Sequence, residues 1–558
     1  MRRLMCALVL LLWPVAAPAK WMEASSNHFV VYANDRPENL KQFSEQLERF
    51  DSALALVLGA KGKIPSPSNR VTIYVVRDDR EVRRLSGDGD QNVYAFYTPR
   101  AGGSIAIVPR VEAGNGKQLD FSMIALLHEY THHVTLSLSP FPMPRWFVEG
   151  SAEFFSSAAF EKDGAVNLGQ PAVHRGPELF YAADVTAMDL LDPDQYEKRR
   201  ARTGGSDAYY GKAWLLYHYL VFSPQRSGQT SAYLRALSSG KSPKEAAIAA
   251  FGDISGLEKE LDRYLNNSRM MMLHVPPENV ATGPVTMREL SEGEAAMMPV
   301  RVRSKRGVTR EQAKVLLTEA RSIAARYPED PAVLSALAEA EYDAGNDDAA
   351  IAAADKALAR DAGQVNAYVQ KGYALFREAE SADDKIAAYR TAIAPFQALN
   401  KIEPDHPLPL LYYYMSFTQR GATPSKLAVD ALGKAVDLAP FDLDLRAMVA
   451  FQEIRDKKIP EAIADLQPIA YNPHGGDNAE RYRELLDTLK AGDLAQATLV
   501  MNGLEGGPDQ DRNGGRGEAS RGAIEGTGKE AARETPGSGS SEGGKAAGKA
   551  APVSRPTD

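Results

Sequence analysis

Hydrophobic residues recur at two different spacings along the chain, and each spacing predicts a different kind of element. Short β-branched or aromatic runs bounded by turn residues predict strands at 28–32, 71–77 and 104–109. Apolar residues spaced three and four apart, with capping and stop signals, predict helices at 38–58, 120–138, 144–160, 209–222 and 242–267. This mixture predicts an α+β domain over residues 20–273, a length of roughly 250 residues that a single domain can have.

Beyond residue 308 the pattern changes to Ala-rich pairs of helices. Successive landmarks lie 34, 42, 36 and 33 residues apart, at Pro328, Ala362, Pro404, Pro440 and Pro473. This spacing is close to the 34-residue tetratricopeptide period, with one insertion near 378–384. Residues 309–492 are therefore predicted to form an all-α solenoid of tetratricopeptide (TPR) type, with a generic antiparallel helical array as the alternative. Residues 274–308 are predicted to be a linker.

The two ends of the chain differ from these domains. Residues 1–19 combine two arginines, an apolar run and an Ala-Pro-Ala site, which is the pattern of a signal peptide, so the mature chain is expected to begin at Lys20. The apolar run is shorter than the ~20 residues of a spanning helix, so no integral membrane segment is expected after cleavage. The signal looks bacterial and predicts a periplasmic or secreted protein. Residues 503–558 contain 14 Gly and no aromatic residue, which predicts a disordered tail.

Composition excludes several classes of protein. The 558 residues include 65 basic and 73 acidic ones, and the resulting net charge of −8 argues against a nucleic-acid partner bound through a broad basic field. Cys6 is the one cysteine, so neither a disulfide framework nor a Cys-based zinc finger can form.

The candidate chemistry begins at 128–132, where His-Glu-Tyr-Thr-His forms an HExxH motif inside the helix predicted at 120–138. Four residues make about one helical turn, so His128 and His132 project from one face and can share a metal ion. Glu129 lies beside them, where its carboxylate could reach a metal-bound water rather than the metal itself.

Two further carboxylates follow on the next predicted helix. A hydrolytic zinc site needs three protein ligands and one open position, and Glu149 can be the third ligand. Glu153, one turn further along, is placed to accept a hydrogen bond from the second nitrogen of a ligand imidazole. The small Gly150 and Ala152 would permit close approach of this helix to the first. The strand at 104–109 is a candidate edge strand on which an extended peptide could align.

HExxH followed by Pro-x-Trp-x-x-Glu-Gly-x-Ala-Glu at 144–153 resembles the gluzincin metallopeptidases, and most closely the secreted peptidase-MA-like group. The resemblance covers about residues 21–270 and implies a thermolysin-like zincin fold with one Zn²⁺ per chain. It implies His128, His132 and Glu149 as zinc ligands and Glu129 as general base. Glu153 would support a ligand imidazole, although thermolysin-like relatives usually have Asp there. The family also uses a Tyr or His to stabilise the oxyanion, for which the candidates are Tyr209, Tyr210 and His218.

Together these features predict an exported zinc metallopeptidase that hydrolyses peptide bonds with a zinc-activated water and Glu129 as general base. The repeats would recruit a protein substrate or a protein partner through their groove. Two alternatives remain open at this point: a catalytically inactive zincin-fold and TPR scaffold, and a zinc hydrolase of a non-peptide amide such as a cell-wall component.

Overall fold

The computed structural model describes residues 20–60, 64–86, 95–110, 119–138, 143–203, 207–267, 269–472 and 475–505. The predicted signal peptide and residues 506–558 of the predicted tail lie outside the described residues. Within the described part of the chain, no helix is long and apolar enough to cross a bilayer.

The strands of the described residues form two sheets, both in the front domain. Their bounds are β1 (Lys20–Ser25), β2 (Phe29–Asp35), β3 (Val71–Val76), β4 (Phe96–Thr98), β5 (Ile105–Pro109), β6 (Ala159–Phe160), β7 (Val166–Leu168), β8 (Leu273–Val275) and β9 (Thr286–Glu289). The larger sheet has the order β4-β5-β3-β2-β1-β9, and the smaller one the order β6-β7-β8. In the larger sheet β2, β3 and β5 are parallel, whereas β4, β1 and β9 pair antiparallel with their neighbours.

The helices of the front domain pack on the sheets, and the helices that follow among the described residues form an array without strands. Those of the front domain are α1 (Pro37–Val57), α2 (Asp79–Ser86), α3 (Phe121–Leu138), α4 (Arg145–Ser156), α5 (Gly176–Tyr181), α6 (Ala187–Leu191), α7 (Pro193–Thr203), α8 (Tyr209–Phe222), α9 (Gln229–Ser238), α10 (Pro243–Phe251) and α11 (Ile254–Leu265). Those of the array are α12 (Glu292–Arg306), α13 (Arg310–Arg326), α14 (Pro331–Asp343), α15 (Asp347–Arg360), α16 (Val365–Glu380), α17 (Lys385–Ala392), α18 (Ala394–Ile402), α19 (Pro407–Thr418), α20 (Lys426–Leu438), α21 (Leu443–Arg455), α22 (Ile459–Ala470), α23 (Gly476–Lys490) and α24 (Leu494–Glu505).

The structure confirms the helical repeat and its predicted spacing. The first helices of successive pairs begin at Pro331, Val365, Pro407, Leu443 and Gly476, which are 34, 42, 36 and 33 residues apart. The 42-residue unit contains the predicted insertion, because a turn follows α16 and the next helix is divided into α17 and α18. The array extends to Glu505 in α24, beyond the predicted end at 492.

Three sequence predictions about the front domain differ from the structure. The strand at 104–109 is not an edge strand, because β4 pairs with its outer side. Residues 274–308 are not a linker, because β9 pairs with β1 and α12 packs against the first repeat helices. The helix predicted at 242–267 divides into α10 and α11 at Gly252, whose φ of +73° a helix cannot contain.

Helix α4, which carries Glu149 and Glu153, packs closely on α8 at one glycine. A Cβ on Gly150 of α4 would lie 2.5 Å from the carbonyl oxygen of Ala213 in α8. The small residue therefore permits close approach of α4 to α8, rather than to α3 as the sequence suggested. This contact fixes the helix that supplies Glu149 and Glu153 against the domain core.

Gly150→Ala is expected to lower the free energy of unfolding of the front domain by about 1–3 kcal/mol, because the backbone must move to admit the methyl group. Denaturant unfolding followed by circular dichroism measures this change. Gly433→Ala is the matched control, since it also lies within a helix but a Cβ there meets no atom within 4 Å. That variant should gain up to about 1 kcal/mol from helix propensity. Equal effects of the two substitutions would contradict the close packing.

Candidate metal centre

Helix α3 begins at an aspartate cap and carries both histidines on one face. Asp120 Oδ1 accepts hydrogen bonds from the backbone N–H groups of Ser122 and Met123, at 2.9 and 3.0 Å. These bonds satisfy two of the open donors of the first turn. His128 and His132 follow one turn apart, and both are buried.

Three candidate ligand atoms meet between α3 and α4. The Nε2 atoms of His128 and His132 are 3.0 Å apart, and Glu149 Oε2 lies 3.4 Å from the first and 3.5 Å from the second. Glu149 is fully buried, so its carboxylate is held at this position by the packing of α4. The structure thus brings together the three residues that the sequence suggested as metal ligands.

The shape and the chemistry of this triangle fit a zinc ion. Ligand bonds of about 2.0–2.2 Å in a tetrahedron separate the ligand atoms by roughly 3.3–3.6 Å. The two distances from Glu149 Oε2, 3.4 and 3.5 Å, fall in this range, and the 3.0 Å between the imidazole nitrogens is slightly shorter. Two imidazole nitrogens and one carboxylate oxygen are a donor set typical of hydrolytic zinc sites. One tetrahedral position would then be available to water or substrate.

Glu153 connects the cluster to a second layer of buried groups. Its Oε1 lies 3.0 Å from His128 Nδ1 and 2.6 Å from Arg175 Nη2, and its Oε2 lies 2.7 Å from His174 Nε2. When His128 is protonated at Nδ1, that N–H donates a hydrogen bond to Glu153. The lone pair of Nε2 then points at the cluster. Burial raises the pKa of Glu153, but the charge of Arg175 and bonds with the two histidines hold it well below its usual range.

His174 and Arg175 are site residues that sequence reasoning missed. Both side chains bind the carboxylate of Glu153 behind His128. They lie in a short 3-10 turn at Val173–Arg175, some twenty residues after Glu153 and at no recognised spacing from it. In the local sequence, only the adjacent His-Arg pair could have suggested that these two residues belong to a site.

Electrostatics favour a cation at the cluster. Burial disfavours the charged form of His128, but the hydrogen bonds and charges of Glu149 and Glu153 outweigh it and raise its pKa to about 10. Two buried carboxylates therefore face the imidazole pair. In such a site a divalent metal ion and protons compete for the same ligand atoms.

Glu153→Gln is expected to weaken zinc affinity by about 10–100-fold, because the neutral amide supports the His128 imidazole less well than a carboxylate. Competition with a chromophoric chelator measures that affinity. Glu197→Gln, an exposed acid of α7, is the control and should bind zinc as the parent does. Unchanged affinity in Glu153→Gln would refute the supporting role.

The three candidates for an oxyanion donor lie on α8 in different surroundings. Tyr209 is buried beneath Arg145, whose guanidinium carbon is 4.4 Å from the ring centre. Burial raises the Tyr209 pKa, Arg145 lowers it, and the nearby charge of Glu149 raises it, so the phenol remains protonated. Tyr210 stacks under Arg175 at 4.8 Å. Both tyrosines therefore remain candidates: the charge of Glu149 acts on Tyr209, and Tyr210 lies under the arginine that binds Glu153.

His218 does not fit this role, which corrects its candidacy. Its Nδ1 bonds with the Tyr264 hydroxyl at 2.8 Å, and its Nε2 bonds with the carbonyl of Gly169 at 3.0 Å. Burial lowers its pKa to about 4, even though the backbone carbonyls of Gly169 and Met271 favour the charged form. Both ring nitrogens are committed to structural hydrogen bonds, so neither can stabilise an oxyanion.

The other side of α3 faces the edge strand β4. The Tyr97 hydroxyl lies 2.5 Å from Nδ1 of His133, the residue that follows His132. Burial raises the pKa of Tyr97 well above its usual value, a hydrogen bond with Ser104 lowers it in part, and the charge of Glu129 adds to the rise. The candidate base Glu129 is itself mostly buried. The edge strand β4 thus lies against α3, the helix that carries the candidate base.

Comparisons with known proteins do not assign the chain to a family. No family profile and no curated protein sequence matches it. Solved structures that are similar include a thermophilic TPR protein of Thermus thermophilus, at 18% identity and a TM-score of 0.29, over 34% of this chain and 95% of that one. MamA from Desulfovibrio magneticus is 16% identical over 36% and 97%, with a TM-score of 0.24. Yeast Tom70 is 12% identical over 84% and 83%, with a TM-score of 0.26. These scores are low, so the assignment of a helical repeat array rests on the helices of this chain.

Proposed function

We propose that this protein is an exported zinc-dependent metallopeptidase of the gluzincin type. The observation that carries the proposal is the buried triangle of His128, His132 and Glu149, with ligand atoms 3.0–3.5 Å apart. The carboxylate of Glu153 behind His128 adds support, because a metal-binding histidine commonly donates its other N–H to such a group.

Each residue then has a role in peptide hydrolysis. His128, His132 and Glu149 would hold a zinc ion, which would polarise a scissile carbonyl and make water more acidic. Glu129 removes a proton from the attacking water and returns it to the leaving amine. A phenol from Tyr209 or Tyr210 donates a hydrogen bond to the developing oxyanion. An extended peptide pairs with β4, and the array binds a protein substrate or partner.

Metal content and hydrolysis together test the proposal. Residues 20–558 are purified, loaded with zinc and measured by elemental analysis beside His132→Ala. We expect about one zinc per chain in the parent, loss of zinc in the variant, and zinc-dependent cleavage of a mixed-sequence peptide library read by mass spectrometry. Zinc binding without peptide cleavage would overturn the peptidase assignment, and cleavage of a non-peptide amide instead would identify a different hydrolase.

A second candidate function is a protein-interaction scaffold without catalysis. The observation that favours it is the array itself, whose described helices run from Glu292 to Glu505. Absence of zinc from the parent after reconstitution would favour this function, because catalysis could not then depend on the cluster.

A further inference from the structure

The loop between β4 and β5 is inserted into the helical array. Ala101 belongs to a hydrophobic cluster whose other buried members all come from array helices and turns. Its backbone N–H donates to Asp442 Oδ2 at 2.7 Å. Gly102 has a φ of +74°, and a Cβ there would lie only 2.8 Å from His406 Cε1. Only glycine therefore allows the loop to approach the array this closely.

A second set of hydrogen bonds fixes the same contact from the neighbouring turn of the front domain. Asn69 accepts from the Gly102 N–H at 3.1 Å and donates to the Leu438 carbonyl at 3.0 Å. Ser68 donates its backbone N–H and its hydroxyl to the two carboxylate oxygens of Glu403, at 2.9 and 2.8 Å. Glu403 is mostly buried. Two turns of the array, before α19 and before α21, therefore hold two turns of the front domain.

The contact continues through aromatic rings to α3, the helix that carries the two candidate histidine ligands. Phe441, adjacent to Asp442, lies with its ring centre 4.3 Å from that of His133. His133 bonds to Tyr97 of β4 and directly follows His132. The array thus touches the helix that carries the HExxH residues directly, and reaches the edge strand through His133.

The loop between β4 and β5 occupies part of the array face that the first helices of the pairs form. The first helices of the pairs, α14, α16, α19 and α21, line a cavity of about 470 Å³ together with the loop at 99–103 and α12. A partner protein entering this face would have to share it with the loop or displace it. In this structure, therefore, that face of the array binds the front domain of the same chain.

We propose that the repeat array is a positioning element of the active site, in which Glu403, Phe441 and Asp442 hold the β4–β5 hairpin where an extended substrate pairs. Strand β4 has only three residues and pairs in the sheet on one side alone. A strand this short is weakly stabilised by its own ladder, so contacts outside the sheet decide how well it is ordered. The part that concerns substrate rests on the proposed peptidase function, whereas the ordering of the hairpin does not.

Asp442→Asn is expected to weaken the contact with Ala101 while it leaves the helices of the array stable. Asp442 Oδ1 caps α21 by accepting from the Leu445 N–H at 3.0 Å, while Oδ2 accepts from Ala101. Asparagine can keep the cap with its one oxygen, but its amide then opposes the Ala101 N–H with a second donor. The matched control is Asp384→Asn, because Asp384 also caps an array helix but is exposed. Phe441→Ala tests the aromatic contact, and Phe441→Leu is its conservative counterpart.

Hydrogen exchange of the full zinc-loaded chain is the first readout. Amides of 96–102 are expected to exchange at least ~10-fold faster in Asp442→Asn and in Phe441→Ala, as for loss of a hydrogen bond to a charged group or of a buried ring. Phe441→Leu should restore most of the protection, and Asp384→Asn should leave it unchanged. Unchanged exchange in the first two variants, or equal acceleration in Asp384→Asn, would overturn the proposal.

Steady-state kinetics is the second readout. In Asp442→Asn we expect KM for a cleaved peptide to rise several-fold, with kcat and zinc content near those of the parent, because the strand is misplaced while the metal ligands are not. Equal losses of kcat and zinc would show a general structural role and overturn the positioning role. If the parent binds zinc but cleaves no peptide, the proposed function fails, and the exchange experiment still decides whether the array orders the hairpin.

Discussion

Glu129→Gln is expected to retain about one zinc per chain and to hydrolyse peptides about 10²–10⁴-fold more slowly than the parent, which is the usual contribution of a general base. Glu129 lies between the two histidines on α3 but is not among the three groups whose ligand atoms meet, so its replacement leaves the triangle intact. Glutamine has nearly the same volume but cannot accept the proton of the attacking water. The largest effect should therefore be on kcat.

Initial rates per mole of bound zinc measure this effect and correct for any loss of metal. Glu197→Gln, the same chemical change at an exposed position of α7, should have the rate of the parent. Full activity in Glu129→Gln with zinc bound would exclude Glu129 as the base, and lost zinc would make it a ligand instead.

Glu149→Ala is expected to weaken zinc affinity by more than about 100-fold, because loss of a supporting residue alone already costs 10–100-fold. The substitution removes the only carboxylate oxygen of the triangle, which lies 3.4 and 3.5 Å from the two imidazole nitrogens. The histidines that remain offer two ligands where a hydrolytic site needs three. Hydrolysis should fall with the metal occupancy and recover in part at high zinc.

Chelator competition across a range of zinc concentrations gives the affinity, and rates at the same concentrations show whether activity follows occupancy. Glu161→Ala, which removes another carboxylate of the front domain, is the control. Metal retention equal to that of the parent in Glu149→Ala would overturn its assignment as a ligand.

Local spacing predicted the parts of the site that lie on single helices. His128 and His132 are one turn apart, so a helix places them together whatever surrounds it. Glu149 and Glu153 share a face of α4 for the same reason. The partners of Glu153 could not be predicted, because His174 and Arg175 reach it through the tertiary packing of a short turn. Likewise His218 has the right residue type, but its surroundings commit it elsewhere.

The fold shows the same division between local and long-range information. The array was predictable because each repeat packs mainly on its neighbours and leaves a period in the sequence. Strand β4 was missed because three residues give no recognisable alternation. Strand β9 was missed because its pairing with β1 joins residues more than 260 positions apart. Through that pairing, the first part of the segment predicted to be a linker belongs to the front domain.

The same pairing constrains the order in which the chain can fold. The first described strand, β1, obtains its second neighbour only when Thr286–Glu289 is present, and Lys20 then pairs with Glu289 at 2.6 Å. Synthesis of the front domain up to residue 273 therefore leaves one edge of its sheet unpaired, and such edges are sites of aggregation. Closure of that edge involves contacts of very high sequence separation, which slow folding. The domain that carries the candidate metal ligands is thus completed by the same stretch of chain that begins the array.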